Sequence, residues 1–294
     1  MKIVERESKS ILVPSRLPDA DYVVNPYTGC QFGCLYCYAT FTSRFVNEPR
    51  AGWGSYVYVK TNAVELARQQ LEKWPASKKD AVILFSSVTD PYQGIEHRYR
   101  LTRGVLQALV DARYPGRVTI LTKSPLVLRD VDLLEQLNAE AGLTITTADD
   151  QLSRLLEVTA PLASRRLDTL QQLAARRIPT YAFVGPLLPH FRYQPHLLDE
   201  LLGKIAAAGV HEVYVEHINL TGYIRGRLLA ELSSASEDIR RVYQAADTRQ
   251  HRQVLDQMLH DLLVKHGLRA RGGTGGAIYH PDLPHQAGDG GIDQ

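Results

Sequence analysis

Three cysteines, Cys30, Cys34 and Cys37, fall within eight residues of one another, and the 294-residue chain has no others. An odd number of thiols packed that closely does not make a disulfide framework, and clustered thiolates in a reducing compartment are ordinarily metal ligands. The segment reads NPYTGCQFGCLYCYA. Its C-x3-C-x2-C spacing lets three thiolates on one short loop reach three corners of an iron–sulfur cube. Gly29 and Gly33 free the backbone for the tight, positive-φ conformations such a loop needs. A [4Fe–4S] cluster usually takes four protein ligands; with no fourth cysteine, one iron stays open to a small molecule. The competing chemistry is a zinc loop completed by a distant histidine, His97, His190 or His217. Structural zinc sites more typically use paired C-x2-C knuckles, which argues against it.

A loop of this kind needs a frame. From about residue 21 to 220, short β-rich runs alternate with amphipathic stretches of helical period, the pattern of repeated βα units and a parallel sheet. The expected strands are Tyr22–Asn25, Ala81–Ser87, Arg117–Thr122, Leu143–Thr147, Thr180–Gly185 and Glu212–His217. Between them, helices are expected from Asn62 (paired with Glu65 as a cap) to Trp74, then over Leu101–Arg113, Asp130–Ala141 and Arg165–Arg177. A further helix begins near His196, where Leu198, Leu201, Leu202 and Ile205 form one apolar stripe, and a last one follows Gly222. Gly142 and Gly209 are placed to stop helices. Six units are too few for an eight-stranded barrel. The fold class is therefore α/β, a partial (βα)6 TIM-like barrel or an open doubly wound sheet. The expected organisation is an N-terminal segment (1–20), a core (21–224), a C-terminal helical extension (225–270) and a flexible Gly-rich tail (271–294) that carries Tyr279 and His280.

The hydrophobic content of 44% suffices for one large core or two small ones, and the net charge of +2 sets up no strong field for nucleic acid. Arginines recur at Arg98/Arg100/Arg103, Arg165/Arg166, Arg176/Arg177, Arg225/Arg227 and Arg240/Arg241, the pattern of solvated helix faces or of a local basic groove. The start, MKIVERESKS, is charged and lacks the apolar stretch of a secretory signal. No apolar run approaches the ~18 residues needed to cross a bilayer. The expected location is the cytoplasm, without membrane attachment.

The cysteine motif, with aromatic Tyr36 just before the last cysteine, resembles that of the radical S-adenosylmethionine (SAM) superfamily. The resemblance implies a [4Fe–4S] cluster on Cys30, Cys34 and Cys37 whose open iron binds S-adenosylmethionine. It also implies an electron donor of flavodoxin or ferredoxin type. Reductive cleavage would then yield methionine and a 5′-deoxyadenosyl radical that abstracts hydrogen from substrate.

Together with FSSVTDPYQGIEHRYRLTRG and ILTKSPLVLRD, the motif is similar to the spore photoproduct lyase-like proteins over roughly residues 20–220. That similarity implies a cofactor site at Tyr36, Ser86, Ser87, Thr89, Asp90, Lys123 and Thr146, with Glu157 and Arg166 as the downstream E…R pair. Where that lyase has a thiol hydrogen donor, this chain has Val88 or its neighbour, so Tyr92 and Tyr99 become substitute candidates. At the ends of the fifth and sixth strands, His190, Glu216, His217 and Asn219 surround the expected substrate pocket. Glu216 and His217 are candidate acid–base residues, although strand alternation allows only one of them to face inward. A nucleic-acid base and a small metabolite or natural-product precursor are the two substrate classes. A non-catalytic metal- or cluster-binding protein is the alternative of another class.

Overall fold

The structure is a computed structural model that describes residues 1–232, 237–246 and 248–272. Tyr279, His280 and most of the Gly-rich tail lie outside the described residues.

The strands are β1 (Lys2–Arg6), β2 (Leu12–Pro14), β3 (Tyr22–Val24), β4 (Tyr27–Thr28), β5 (Tyr56–Lys60), β6 (Ile83–Phe85), β7 (Val118–Thr122), β8 (Ala139–Thr144), β9 (Thr180–Leu187), β10 (Glu212–His217) and β11 (Arg269–Ala270). Helices are α1 (Ala63–Glu72), α2 (Glu96–Tyr99), α3 (Leu101–Asp111), α4 (Val131–Leu134), α5 (Asp150–Glu157), α6 (Ala163–Ala175), α7 (Pro195–Ala207), α8 (Gly222–Glu231), α9 (Glu237–Ala245) and α10 (Arg249–His266). One eight-stranded sheet runs in the order β11-β10-β9-β8-β7-β6-β3-β2. Its six middle strands are parallel neighbours, β2 adds antiparallel to β3, and β11 adds parallel to β10. This is the expected partial (βα)6 barrel. A second sheet, β1-β5-β4, forms beside it from residues on both sides of the cysteine loop.

The barrel strands alternate between two environments. Ile83, Phe85, Val118, Ile120, Ala141, Leu143, Ala182, Val184, Val213 and Val215 are almost wholly buried against the helices, whereas Leu84, Leu121, Phe183, Tyr214 and Glu216 keep partial exposure on the interior face. On α7, the predicted stripe of Leu198, Leu201, Leu202 and Ile205 has no exposed surface. Each such side chain contributes about 1.5–3 kcal/mol on burial. Gly209 takes φ +85° just past this helix, as a helix-stopping glycine should.

Three local expectations are corrected. The Asp130–Ala141 helix shrinks to α4, and residues from Ala139 become β8. The run AEAGLT has one β-former, Thr144, and opens on the helix formers Ala139, Glu140 and Ala141, but all six residues are buried. Glu140 tolerates this because Arg271, from just past β11, meets its carboxylate at 2.8 and 2.9 Å. Gly142 does not stop a helix; it lies inside β8, where a Cβ would stand 2.1 Å from the Tyr181 ring. Asn62 precedes α1 but its side chain does not cap it, because both amide atoms bond the Ser8 backbone at 2.9 and 3.0 Å.

Candidate active site

The cysteine loop leaves the C-terminal end of β3, where residues of parallel barrels converge. Gly29 and Gly33 take φ of +88° and +65°. At Gly29 a Cβ would stand 2.5 Å from the Tyr56 carbonyl oxygen, so the loop packs down on β5 only because no side chain is present. A pair of glutamines holds the loop's shape. The Gln93 side chain accepts from the Gln31 backbone N–H at 2.8 Å and donates to the Gly29 carbonyl at 3.3 Å. Gln31 in turn accepts from the Ile95 backbone N–H at 2.6 Å. Neither glutamine was predicted, although both lie in the quoted motifs; their role follows only from the contact between those two segments.

Cys30 and Cys34 are buried and Cys37 partly so. Burial pushes all three thiols up, Cys34 to about 12, and the other thiols in the group add to the rise at Cys30 and Cys34. The protein alone therefore holds these sulfurs protonated, and a bound metal centre reverses that preference by its own charge. Among the described residues no group of histidine, cysteine and carboxylate side chains is gathered to complete a zinc loop. His190 Nδ1 lies 3.1 Å from the Tyr243 hydroxyl and His217 Nε2 lies 2.9 Å from Asp256 on α10, while His97 is exposed on α2.

Behind the loop stands a buried polar network. Tyr36 donates its hydroxyl to Glu157, and Glu157 pairs with Arg166. Lys123 Nζ lies 3.8 Å from Glu157 and 5.7 Å over the Tyr36 ring. Burial disfavours both charges, yet Arg166 and Lys123 hold Glu157 below the usual carboxylate range. Cys34 when ionised, together with Glu157 and Asp90, likewise holds Lys123 above the usual lysine value. Arg166 itself is fully buried and also donates to the carbonyls of Pro161 and Thr144 at 2.7 and 3.1 Å. Within the Arg165/Arg166 pair, the second arginine turns into the core as the partner of Glu157, and not onto a solvated helix face. Arg103 is likewise engaged, bridging Asp130 and Asp132.

The other candidate cofactor residues divide by whether their polar atoms are engaged. Ser86 donates to the Val24 carbonyl, Ser87 accepts from Asn25, and Thr89 donates to the Gly29 carbonyl. Asp90 accepts from the Thr122 hydroxyl and from the backbone N–H groups of Lys123 and Tyr92, tying the end of β6 to that of β7. These residues build the floor of the loop. Thr146, just beyond β8, differs: its buried hydroxyl has no hydrogen-bond partner among the described residues.

Glu216 and His217 take opposite sides of β10. His217 turns outward to α10, whereas Glu216 lies on the interior face, close enough for its charge to act on the Tyr38 hydroxyl next to Cys37. Burial raises the Glu216 carboxyl to about 7. The two therefore do not work as an adjacent acid–base pair. Of the tyrosines proposed as hydrogen donors, Tyr92 is buried with its ring 5.9 Å from the Arg129 guanidinium, and Tyr99 donates to Glu5 on β1 at 2.5 Å. Asn219 is exposed after β10, and His190 is buried against Tyr243.

A family model described as the radical SAM superfamily matches residues 24–194, from the end of β3 through the fifth parallel strand. The chain belongs to the radical SAM superfamily. Its relatives within curated proteins include an uncharacterized protein of Methanocaldococcus jannaschii, 38% identical over 201 residues that make up 68% of this chain and 73% of the relative. An uncharacterized protein of Mycobacterium tuberculosis is 31% identical over 84% of this chain and 75% of its own length. Among solved structures, spore photoproduct lyase complexed with dinucleoside spore photoproduct superposes with a TM-score of 0.69 at 15% identity, covering 91% of this chain and 81% of that one. That likeness shows a shared fold. As a radical SAM protein, the chain is of an enzyme class whose members use a [4Fe–4S] cluster and S-adenosylmethionine, and three thiols on one clamped loop, two buried and one partly so, with no fourth cysteine fit that requirement. Among the described residues no helix is long and apolar enough to cross a membrane.

Proposed function

We propose that this radical SAM enzyme holds a [4Fe–4S] cluster on Cys30, Cys34 and Cys37, binds S-adenosylmethionine beside it, and abstracts hydrogen from a substrate at the interior mouth of the barrel. The observation that carries this is the three-thiol loop braced from below by Gln31 and Gln93 and backed by Tyr36, Glu157, Arg166 and Lys123. When bound, the cluster and cofactor supply the electron and the organic radical; the protein supplies binding, orientation and electrostatics.

The three thiols ligate iron. Lys123, kept charged by Glu157 and Cys34, offers its ammonium to the carboxylate of the cofactor. Thr146 offers its unpaired hydroxyl. Tyr36 and Arg166 fix Glu157 and so keep Lys123 in place. Ser86, Ser87, Thr89 and Asp90 act by shaping the loop and the ends of β6 and β7. On the substrate side, Glu216 accepts or donates a hydrogen bond near neutral pH, since its carboxyl titrates at about 7. An electron donor of flavodoxin or ferredoxin type completes the system. Val88 stands in the loop after β6 where a thiol donor is expected, so return of hydrogen to a product radical falls to another group.

For the substrate, a nucleic-acid base is favoured over a small metabolite. The turn that follows Cys37 exposes Tyr38 and Phe45, at 49% and 59%, with Arg44 lying 4.9 Å over the Phe45 ring. Aromatic rings interleaved with arginine suit stacked bases and a phosphate backbone. A relative named radical SAM Nalpha-GlyT isomerase, from Pseudomonas phage M6, is 27% identical over 68% of this chain and 40% of its own. The test is anaerobic: reconstituted protein receives dithionite and S-adenosylmethionine, and 5′-deoxyadenosine is quantified. Formation by the wild type and its loss in Cys34→Ala support the proposal; equal yields from the two proteins refute it. Salt-sensitive binding of single-stranded DNA supports the nucleic-acid substrate, and absence of binding at low salt transfers the case to a small metabolite.

A further inference from the structure

The superfamily match ends at residue 194, yet a charge from beyond it reaches the cysteine loop. α8 follows the last parallel barrel strand and lays Arg227 against that loop. Its Nη1 is 3.4 Å from the carbonyl oxygen of Cys34, and its Nη2 is 3.5 Å from that of Gly33. Both contacts are long for directional hydrogen bonds, so their main effect is electrostatic. The Tyr223 ring lies beside the guanidinium, 5.9 Å from Arg227, and Arg50, in the turn that follows the cysteine segment, lies 4.7 Å over the same ring without touching the two carbonyls. These partners are two carbonyls and one aromatic face, and none of them is a carboxylate. An arginine carries its charge at every accessible pH. The positive charge is therefore permanent, set beside the backbone of a cysteine ligand, and not cancelled by any of these partners.

Reduction of an iron–sulfur cluster adds one negative charge to it. A fixed cation nearby stabilises the reduced form more than the oxidised one, and cluster potentials follow net local charge, hydrogen bonding and exposure. We propose that Arg227 is a positioning residue that raises the reduction potential of the cluster held by Cys30, Cys34 and Cys37. The inference rests on the cluster assignment above and adds the C-terminal helical extension to the electron-accepting machinery.

The test is a potentiometric titration of the anaerobically reconstituted full-length protein, followed by the EPR signal of the reduced cluster. Wild type is compared with Arg227→Gln, Arg227→Lys and Arg50→Gln. Arg227→Gln is expected to make reduction about tenfold less favourable, a fall of about 59 mV for a one-electron couple. Arg227→Lys keeps the charge and is expected to hold the wild-type potential. Arg50→Gln leaves Arg227 on the loop and is expected to leave the potential unchanged. Equal potentials in wild type and Arg227→Gln overturn the proposal. So does an equal fall in Arg227→Lys, because shape and not charge would then be responsible. If Arg227→Gln takes up no cluster, the charge-removing Arg227→Met takes its place: a tenfold loss supports the proposal and an unchanged potential refutes it. A wild-type protein that takes up no four-iron cluster sinks the cluster assignment itself, whereas a loaded protein indifferent to Arg227 sinks only this inference.

Discussion

Removing one charge from the pair behind the cysteine loop should cost more than any surface change. The side chains of Glu157 and Arg166 are 1% and 0% exposed. Glu157 also accepts from the hydroxyls of Tyr36 and Ser153, and Arg166 reaches two backbone carbonyls. In Glu157→Gln the guanidinium stays buried without its counter-charge. Breaking a buried pair from one side costs about 3–5 kcal/mol. At about 2–4 °C per kcal/mol for large domains, the cluster-free protein should melt about 6–20 °C lower. Calorimetry on wild type, Glu157→Gln, Arg166→Met and the double variant measures this. The double variant should lose less than the sum of the singles by about 0.5–3 kcal/mol, as partners in one network do. A Glu157→Gln loss below about 1 kcal/mol, or strict additivity, refutes the view that this pair is a coupled unit.

Three further outcomes are expected. His190 and His251 are held neutral by burial, each lowered to about 4, so their share of stability is complete above 6.5 and is lost as pH falls toward 4. Glu157 adds a second loss below its ordinary 4.5, because its folded value is depressed; urea midpoints measured from pH 8 to 4 should fall in that order, and a flat profile contradicts it. Gly29→Ala forces a side chain into φ +88° against the Tyr56 carbonyl, and should cost at least about 1–3 kcal/mol and reduce iron uptake, read as iron bound per chain. Thr146→Val should leave the melting temperature unchanged or slightly raised, since the lost hydroxyl has no partner, while weakening S-adenosylmethionine binding measured by calorimetry; unaltered binding removes Thr146 from the cofactor site.

What was legible in the chain was whatever local pattern encodes. The cysteine loop declares itself because its ligands, glycines and aromatic residue are neighbours in sequence. The parallel strands show because apolar runs recur between helical periods, and the α7 stripe shows because its four aliphatic residues repeat at helical spacing. Distant partners were not legible. β8 reads as helix until Arg271, 131 residues away, is seen to neutralise Glu140. Asn62 resembles a cap until Ser8 takes both of its amide atoms. The strand register, which spacing alone leaves open, sends Glu216 inward and His217 out to Asp256. Gln31 and Gln93 stand in the quoted motifs, yet their clasp exists only once the β6 loop folds onto the cysteine loop.

The central claim is that three cysteines hold a four-iron cluster with one iron left for S-adenosylmethionine, and EPR spectroscopy tests it most directly. Anaerobically reconstituted protein is reduced, and its spectrum is recorded with and without S-adenosylmethionine, alongside Cys30→Ala, Cys34→Ala and Cys37→Ala. The account predicts a reduced [4Fe–4S] signal in the wild type that changes when S-adenosylmethionine is added, and no such signal in any of the three variants. A zinc-loaded protein without iron, or a cluster whose spectrum is indifferent to S-adenosylmethionine, would contradict it.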